Sequence, residues 1–244
     1  MQLQPPRVMS GRQQFFVKSG DGLMWMCDGN YAQDGYGPLH EQEPAGHSIH
    51  DYIMGSLPEG GVFLDIGAHV GHYTLRAARK GSHVYAVEAN PDTAGRLLAN
   101  LELNKIENVT VWAVAAWDSW DVLSLAPHDE AMRNGSQRVH RGGGQVTVAG
   151  MPLDMLLAHV PRVDTVKMDV EGADIRVLKG MHHALCRLKP KLIIEDHSVL
   201  GYFDPDELRQ AEEYLTMEAG YKWQGAAEAG VRGKFLNYRI GTCD

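Results

Sequence analysis

The sequence predicts an α/β protein organised around a mostly parallel sheet with helices on both faces. Three observations lead there. Short apolar runs alternate with segments of about 10–15 residues at helical spacing, the pattern of successive βαβ units. Those runs are continuous rather than alternating, which suits strands covered on both faces. Their ends are punctuated: Gly67, Pro91 and Asp204-Pro205 stand where a strand gives way to a turn or a helix begins.

GVFLDIG at 61–67 is the first core strand, ending in glycine. Val70, Tyr73, Thr74, Ala77 and Ala78 follow near helical spacing, and Gly81 closes that helix. VYAVEAN (84–90) is a second buried strand, stopped by Pro91. Residues 92–104 return to helical spacing through Ala94, Leu97, Leu98, Leu101 and Leu103, and VTVWAV (109–114) is the third strand. The pattern resumes with TVKMDV (165–170), a helix over 172–187, KLIIED (191–196) and a helix near 206–219. YKWQG (221–225) and KFLNYRI (234–240) read as a closing antiparallel pair. Between the halves, the polar segment 126–145 with its triple glycine reads as a long loop, either a floppy insertion or a functional one. Residues 1–46, rich in Gly, Gln and Pro, read as a β-rich or irregular N-terminal extension, and residues 47–244 form the main domain.

The 244 residues give room for a full core in one large domain or two small ones. Lys plus Arg number 23 against 31 Asp plus Glu, a net charge of −8. The basic footprint of a nucleic-acid binder is therefore missing overall, and no nucleic-acid partner is expected. VTVWAVAAW (109–117), among the longest apolar runs, falls short of the roughly 20 residues that cross a bilayer. The first residues show no apolar signal region, so no membrane partner and a cytoplasmic location are expected. Cys27, Cys186 and Cys243, odd in number and without CxxC spacing, speak against a disulfide framework or a cysteine zinc site.

The sharpest feature is GVFLDIGAHVGHYT at 61–74. Gly67 ends the strand and Gly71 stands at the start of the helix; glycine there lets the backbone turn tightly and approach a ligand. Glu88, 21 residues after Gly67, ends the next strand, where a carboxylate accepts hydrogen bonds from ribose hydroxyls. The turn Gly67-Ala68-His69-Val70-Gly71 lacks the middle glycine of the dinucleotide fingerprint. Asp65, two residues before Gly67, would repel a pyrophosphate but suits an ammonium group. S-adenosylmethionine offers a ribose and an ammonium and no phosphate, so it is expected over NAD. The plain alternative is an ordinary turn at Gly67 and a surface strand end at Glu88.

DIGAHVG followed by VEANP resembles motif I and the acidic strand of class I S-adenosylmethionine-dependent methyltransferases. The stretch 146–197, with DVEGAD, VLKG and a proline-then-acidic strand, resembles the FkbM-type branch. The resemblance spans about residues 48–200 and implies a Rossmann-like, seven-stranded, mostly parallel sheet with the last strand antiparallel. It also implies cofactor contacts at Asp65, Gly67, Ala68, His69, Gly71, Glu88 and the adjoining Ala89, with Ala115, Ala116 and Trp117 near the adenine. His69 stands where the family usually has Asn or a small residue, which leaves open a contact through its backbone only.

Candidates for the chemistry fall at the carboxyl ends of the later strands. His197 is expected as general base, with Asp169 and Glu195 orienting it or the acceptor. Two carboxylates and a histidine also suit Mg²⁺, which stays an open alternative; the metal is not assigned. Glu171-Gly172 reads equally as a helix cap, His182-His183 as a solvated or packed pair, and His40, His47 and His50 as surface residues rather than a cover for the cofactor. Trp117 reads as core or as an adenine platform. The resemblance points to O-methyl transfer onto a small-molecule hydroxyl, in a sugar, glycan or polyketide natural product. An N- or C-methyltransferase, a non-catalytic S-adenosylmethionine-binding protein and, less favoured, an NAD-dependent oxidoreductase remain as alternatives.

Overall fold

A computed structural model describes residues 14–28, 48–126, 138–143, 146–231 and 237–243. An antiparallel hairpin comes first, β1 (Gln14–Lys18) and β2 (Met24–Asp28). Helix α1 (Ile49–Ser56) starts at Ser48, whose hydroxyl accepts the Asp51 amide. A βαβαβ run follows: β3 (Val62–Ile66), α2 (His72–Arg79), β4 (His83–Val87), α3 (Pro91–Leu103) and β5 (Val109–Trp112). Helix α3 begins where it does because Asn90 accepts the amides of Asp92 and Thr93 while Pro91 fills the first helical position.

Four short strands come next: β6 (Ala115–Ala116), β7 (Asp121–Leu125), β8 (Val139–Arg141) and β9 (Val146–Met151). The chain then runs through α4 (Leu153–Leu156), β10 (Thr165–Met168), α5 (Asp174–Gly180), α6 (His182–Leu188) and β11 (Lys191–Glu195). A 3-10 turn (His197–Leu200), α7 (Pro205–Ala219), β12 (Lys222–Gly225) and β13 (Tyr238–Thr242) complete it.

The main sheet has seven strands in the order β12-β13-β11-β10-β3-β4-β5. Every neighbouring pair is parallel except those of β13, which runs antiparallel to both β11 and β12. This is the expected α/β architecture. Its core strands are apolar where both faces are covered; Phe63, Leu64, Ile66, Val166, Met168, Leu192, Ile193 and Ile194 are fully buried. Each such side chain contributes about 2 kcal/mol relative to exposure. After β3 the chain moves outward through β4 and β5, then returns to lay β10 on the other side of β3. The strand order reverses there, so a crevice opens beyond the carboxyl ends of β3 and β10.

Two features depart from the sequence reading. The helix expected over 172–187 is split into α5 and α6 at Met181. A second sheet, ordered β6-β9-β7-β8, occupies the region between the halves, and β8 lies inside the segment read as a loop. Residues 127–137 and 144–145 of that segment, 1–13 and 29–46 of the N-terminal extension with His40, and His47 lie outside the described residues. The described part of the extension is the hairpin, and its β2 docks on α3 through side-chain amides. Asn104 both accepts from Met24 N and donates to Met24 O, and Asn100 accepts from Met26 N. Among the described residues no helix is long and apolar enough to cross a membrane.

Candidate active site

The turn after β3 is built on left-handed backbone. Gly67, His69 and Gly71 have φ of 77°, 52° and 99°. A Cβ at Gly67 would stand 1.8 Å from the Asp169 carbonyl oxygen, and the left-handed backbone at Gly71, φ 99°, strains any side chain, so both positions call for glycine. The amides of Gly67 and Ala68 both donate to Val87 O, which ties the turn to the end of β4. Asn100 Nδ2 donates to Val70 O and ties it to α3. Glu88 completes the cradle: one carboxylate oxygen accepts His69 N and the other Asn90 N, each at 2.9 Å. Burial pushes this carboxyl up to about 7, against the pull of those two amides.

Asp65 is placed differently from the rest of its motif. It has no exposed surface, accepts a 2.6 Å hydrogen bond from Thr74 Oγ1, and faces the ammonium of Lys167 at 3.7 Å. The sequence reading set Asp65 against the ligand's ammonium; with no exposed surface, it faces the Lys167 ammonium instead and does not reach a ligand directly. Lys167 is buried as well, donates to Gly67 O at 3.1 Å and pairs with Asp169 at 3.2 Å. Burial alone would discharge it, but Asp169 and Asp65 outweigh burial and keep it firmly protonated.

Beside the turn, the ends of β10 and β11 gather the acidic residues. His197, 2% exposed, sets Nε2 3.5 Å from Asp169 and 3.7 Å from Glu171, and Nδ1 3.4 Å from the buried Asp174. Burial lowers its pKa, but the Asp174 hydrogen bond and charge prevail and raise it to about 9. Glu195 accepts Tyr238 Oη at 2.9 Å and Asn237 Nδ2 at 3.3 Å. Burial and then the Asp169 charge push its carboxyl up to about 7. Asp169 itself lies below the usual carboxylate range, because Lys167 and His197 overcome its burial.

Ligand atoms of Asp169, Glu195 and His197 all lie within 4.8 Å of one another, a spacing that a metal ion can bridge. The donor set mixes imidazole with carboxylate, whereas Mg²⁺ prefers oxygen alone. His197 is moreover engaged by Asp174 at one nitrogen and by Asp169 and Glu171 at the other.

The turn residues Gly67, Ala68, His69 and Gly71 come together with Glu88, with Ala89 beside it at the end of β4. His69 enters through its backbone amide, and burial lowers its ring to about 4, so the imidazole is neutral. Ala115, Ala116 and Trp117 are buried at the strand β6, which pairs with β9, and the Arg176 guanidinium lies 5.5 Å over the Trp117 ring. Sequence reasoning passed over Lys167, Asp174, Tyr202 and Tyr238. Lys167 left a trace, the one charge among the four residues of β10, TVKM; Tyr238 left none, because its partner Glu195 is set by the β11–β13 register.

Comparison with known proteins fits this geometry. The Methyltransferase FkbM domain matches residues 65–223. The hexuronic acid methyltransferase AglP of Haloferax volcanii is 32% identical over 148 residues, 60% of this chain and 60% of that protein. The methyltransferase sdnD of Sordaria araneosa is 26% identical over 207 residues, 70% of this chain and 78% of the other. The crystal structure of a methyltransferase FkbM from Methylobacillus flagellatus superposes with a TM-score of 0.57 at 20% identity, covering 83% of this chain and 49% of that one. This likeness supports the fold. The domain match takes in the glycine turn at 67–71, Glu88 and both acidic strand ends, well over half of the 244 residues. The chain belongs to the FkbM family of class I S-adenosylmethionine-dependent methyltransferases.

Proposed function

We propose that the protein is an O-methyltransferase that moves the methyl group of S-adenosylmethionine to a hydroxyl of a small molecule, of the sugar, glycan or polyketide class. The observation that carries this reading is the meeting of Asp169, Glu195 and His197 beside the cofactor turn. A hydroxyl needs its proton accepted as the new C–O bond forms, whereas holding the cofactor needs no such group. The similarity to a hexuronic acid methyltransferase supports a saccharide acceptor.

The environments suggest how the roles divide. His197, with a pKa of about 9, keeps its proton at neutral pH and serves as the cation that orients Asp169 and Glu171. Glu195, at about 7, is the better-matched base, so the role expected for His197 passes to its neighbour. The acceptor oxygen attacks the methyl carbon, the C–S bond breaks to release S-adenosylhomocysteine, and the hydroxyl proton goes to Glu195. Glu88 holds the ribose hydroxyls, the backbone of Gly67, Ala68, His69 and Gly71 lines the cofactor with Ala89 beside Glu88, and Ala115, Ala116 and Trp117 flank the adenine.

The purified protein, S-adenosylmethionine and a panel of uronic acids, hexosides and polyketide alcohols, with RNA and amines as further acceptors, provide the test. Mass spectrometry is expected to find a methyl ether, and Glu195→Gln to slow its formation about 10²–10⁴-fold. Methylation of nitrogen, carbon or RNA, or cofactor binding without turnover on any acceptor, overturns the reading.

A further inference from the structure

We propose that Lys167 is the positioning residue of the cofactor turn, and that Asp65 acts on the cofactor through it. The inference rests on the assignment of residues 67–71 to S-adenosylmethionine binding. Lys167 and Asp65 are direct partners in the β10–β3 register, and Asp169 lies two residues further along on the face of Lys167. The ammonium is thereby brought under the turn from the sheet.

A lysine ammonium has three donors and no acceptor. Three oxygen groups surround this one: Gly67 O at 3.1 Å, Asp169 Oδ2 at 3.2 Å and Asp65 Oδ1 at 3.7 Å. The Tyr73 ring, 5.1 Å from Nζ, covers another side. The turn has its amides fixed on Val87 O, and its Gly67 carbonyl is fixed by Lys167. The peptide at the closest approach to the ligand is therefore held at both ends. With 3% of its side chain exposed, Lys167 does not itself reach a ligand. Asp65, which is fully buried, supplies charge that keeps the ammonium in place.

The test is calorimetric titration of the full chain with S-adenosylhomocysteine, well below the melting temperature, for wild type, Lys167→Met and the double variant Asp65→Asn/Lys167→Met. The double variant removes a buried cation together with one of its anions, so it keeps a neutral pair where the single variant leaves two carboxylates facing each other. At least a tenfold loss of affinity is expected in each variant that retains wild-type circular dichroism. A residue that merely braced two strands would lower the melting temperature and leave the affinity of the folded protein unchanged. Affinity within threefold of wild type in the folded double variant overturns the role of Lys167. Failure of the wild type to bind S-adenosylhomocysteine overturns the cofactor assignment instead, and the inference with it.

Discussion

The rings of His197 and Tyr202 lie parallel, with centroids 5.9 Å apart and an interplanar angle of 7°. Gly172 makes this possible, since a Cβ there would fall 2.8 Å from Tyr202 Cβ. The imidazole is thus covered on a face while its nitrogens are engaged at the edge by Asp174, Asp169 and Glu171. A histidine so enclosed is a fixed cation more than a mobile base. Its state sets the pH behaviour expected of the site.

The rate of methyl transfer is expected to follow a bell. Glu195 must lose its proton to act as base, which gives an ascending limb near pH 7. His197 must keep its proton to hold Asp169 and Glu171, which gives a descending limb near pH 9. Initial rates from pH 5.5 to 10 with a saturating acceptor check this. Loss of the descending limb in His197→Gln is the expected signature, and an unchanged one rejects the role.

Stability carries a separate signal from the same residue. The folded-state pKa of His197, about 9, lies above its ordinary value of 6.5, so the unfolded chain releases its proton first as pH rises. The stabilisation is complete below pH 6.5 and is lost between there and about 9. Urea midpoints should fall across that window in the wild type and fall less steeply in His197→Gln.

Glu88→Ala is expected to weaken S-adenosylhomocysteine binding about 10- to 100-fold, the range for hydrogen bonds to a charged group. The variant also leaves the amides of His69 and Asn90 without their carboxylate partner. Isothermal calorimetry with S-adenosylhomocysteine measures it. Retained affinity would remove Glu88 from the ribose site.

Arg138 stands with its guanidinium 4.2 Å over the ring of Tyr202, the stacking partner of His197. It immediately precedes β8 and belongs to the inserted segment between the halves. Arg138→Ala should raise the KM for acceptor about three- to tenfold, in line with ~1 kcal/mol for such a contact, and leave cofactor affinity unchanged. Steady-state kinetics in both substrates separate the two effects.

The parallel sheet and the glycine turn after β3 were legible because both are local patterns. Continuous apolar strands, Gly67 and Gly71 at forced backbone angles, and Glu88 at the end of the following strand each leave a mark within a few residues. The second sheet was not legible. Its strands are as short as Ala115–Ala116, and their partners lie across a long insertion, so neither periodicity nor spacing announces them. The break at Met181 escaped for another reason. A Cβ at Gly180 would come within 1.8 Å of the Trp117 carbonyl, a long-range contact that no helical period records. At the site, Asp169, Glu195 and His197 were found from strand ends, whereas Asp174 and Tyr238 gained their positions from pairings 23 and 43 residues distant.

The amide of Asn100 reaches in two directions, accepting from Met26 in the hairpin and donating to Val70 in the cofactor turn. One side chain therefore serves as a mechanical splice between the two, and its hydrogen bonds at either end are shared property. Whatever stills the Val70 carbonyl also stills Asn100 and, beyond it, the Met26 amide. Deuterium exchange at Met26 should accordingly slow when S-adenosylhomocysteine is added, and Asn100→Ala should sever that response. The hairpin is then a remote gauge of cofactor occupancy.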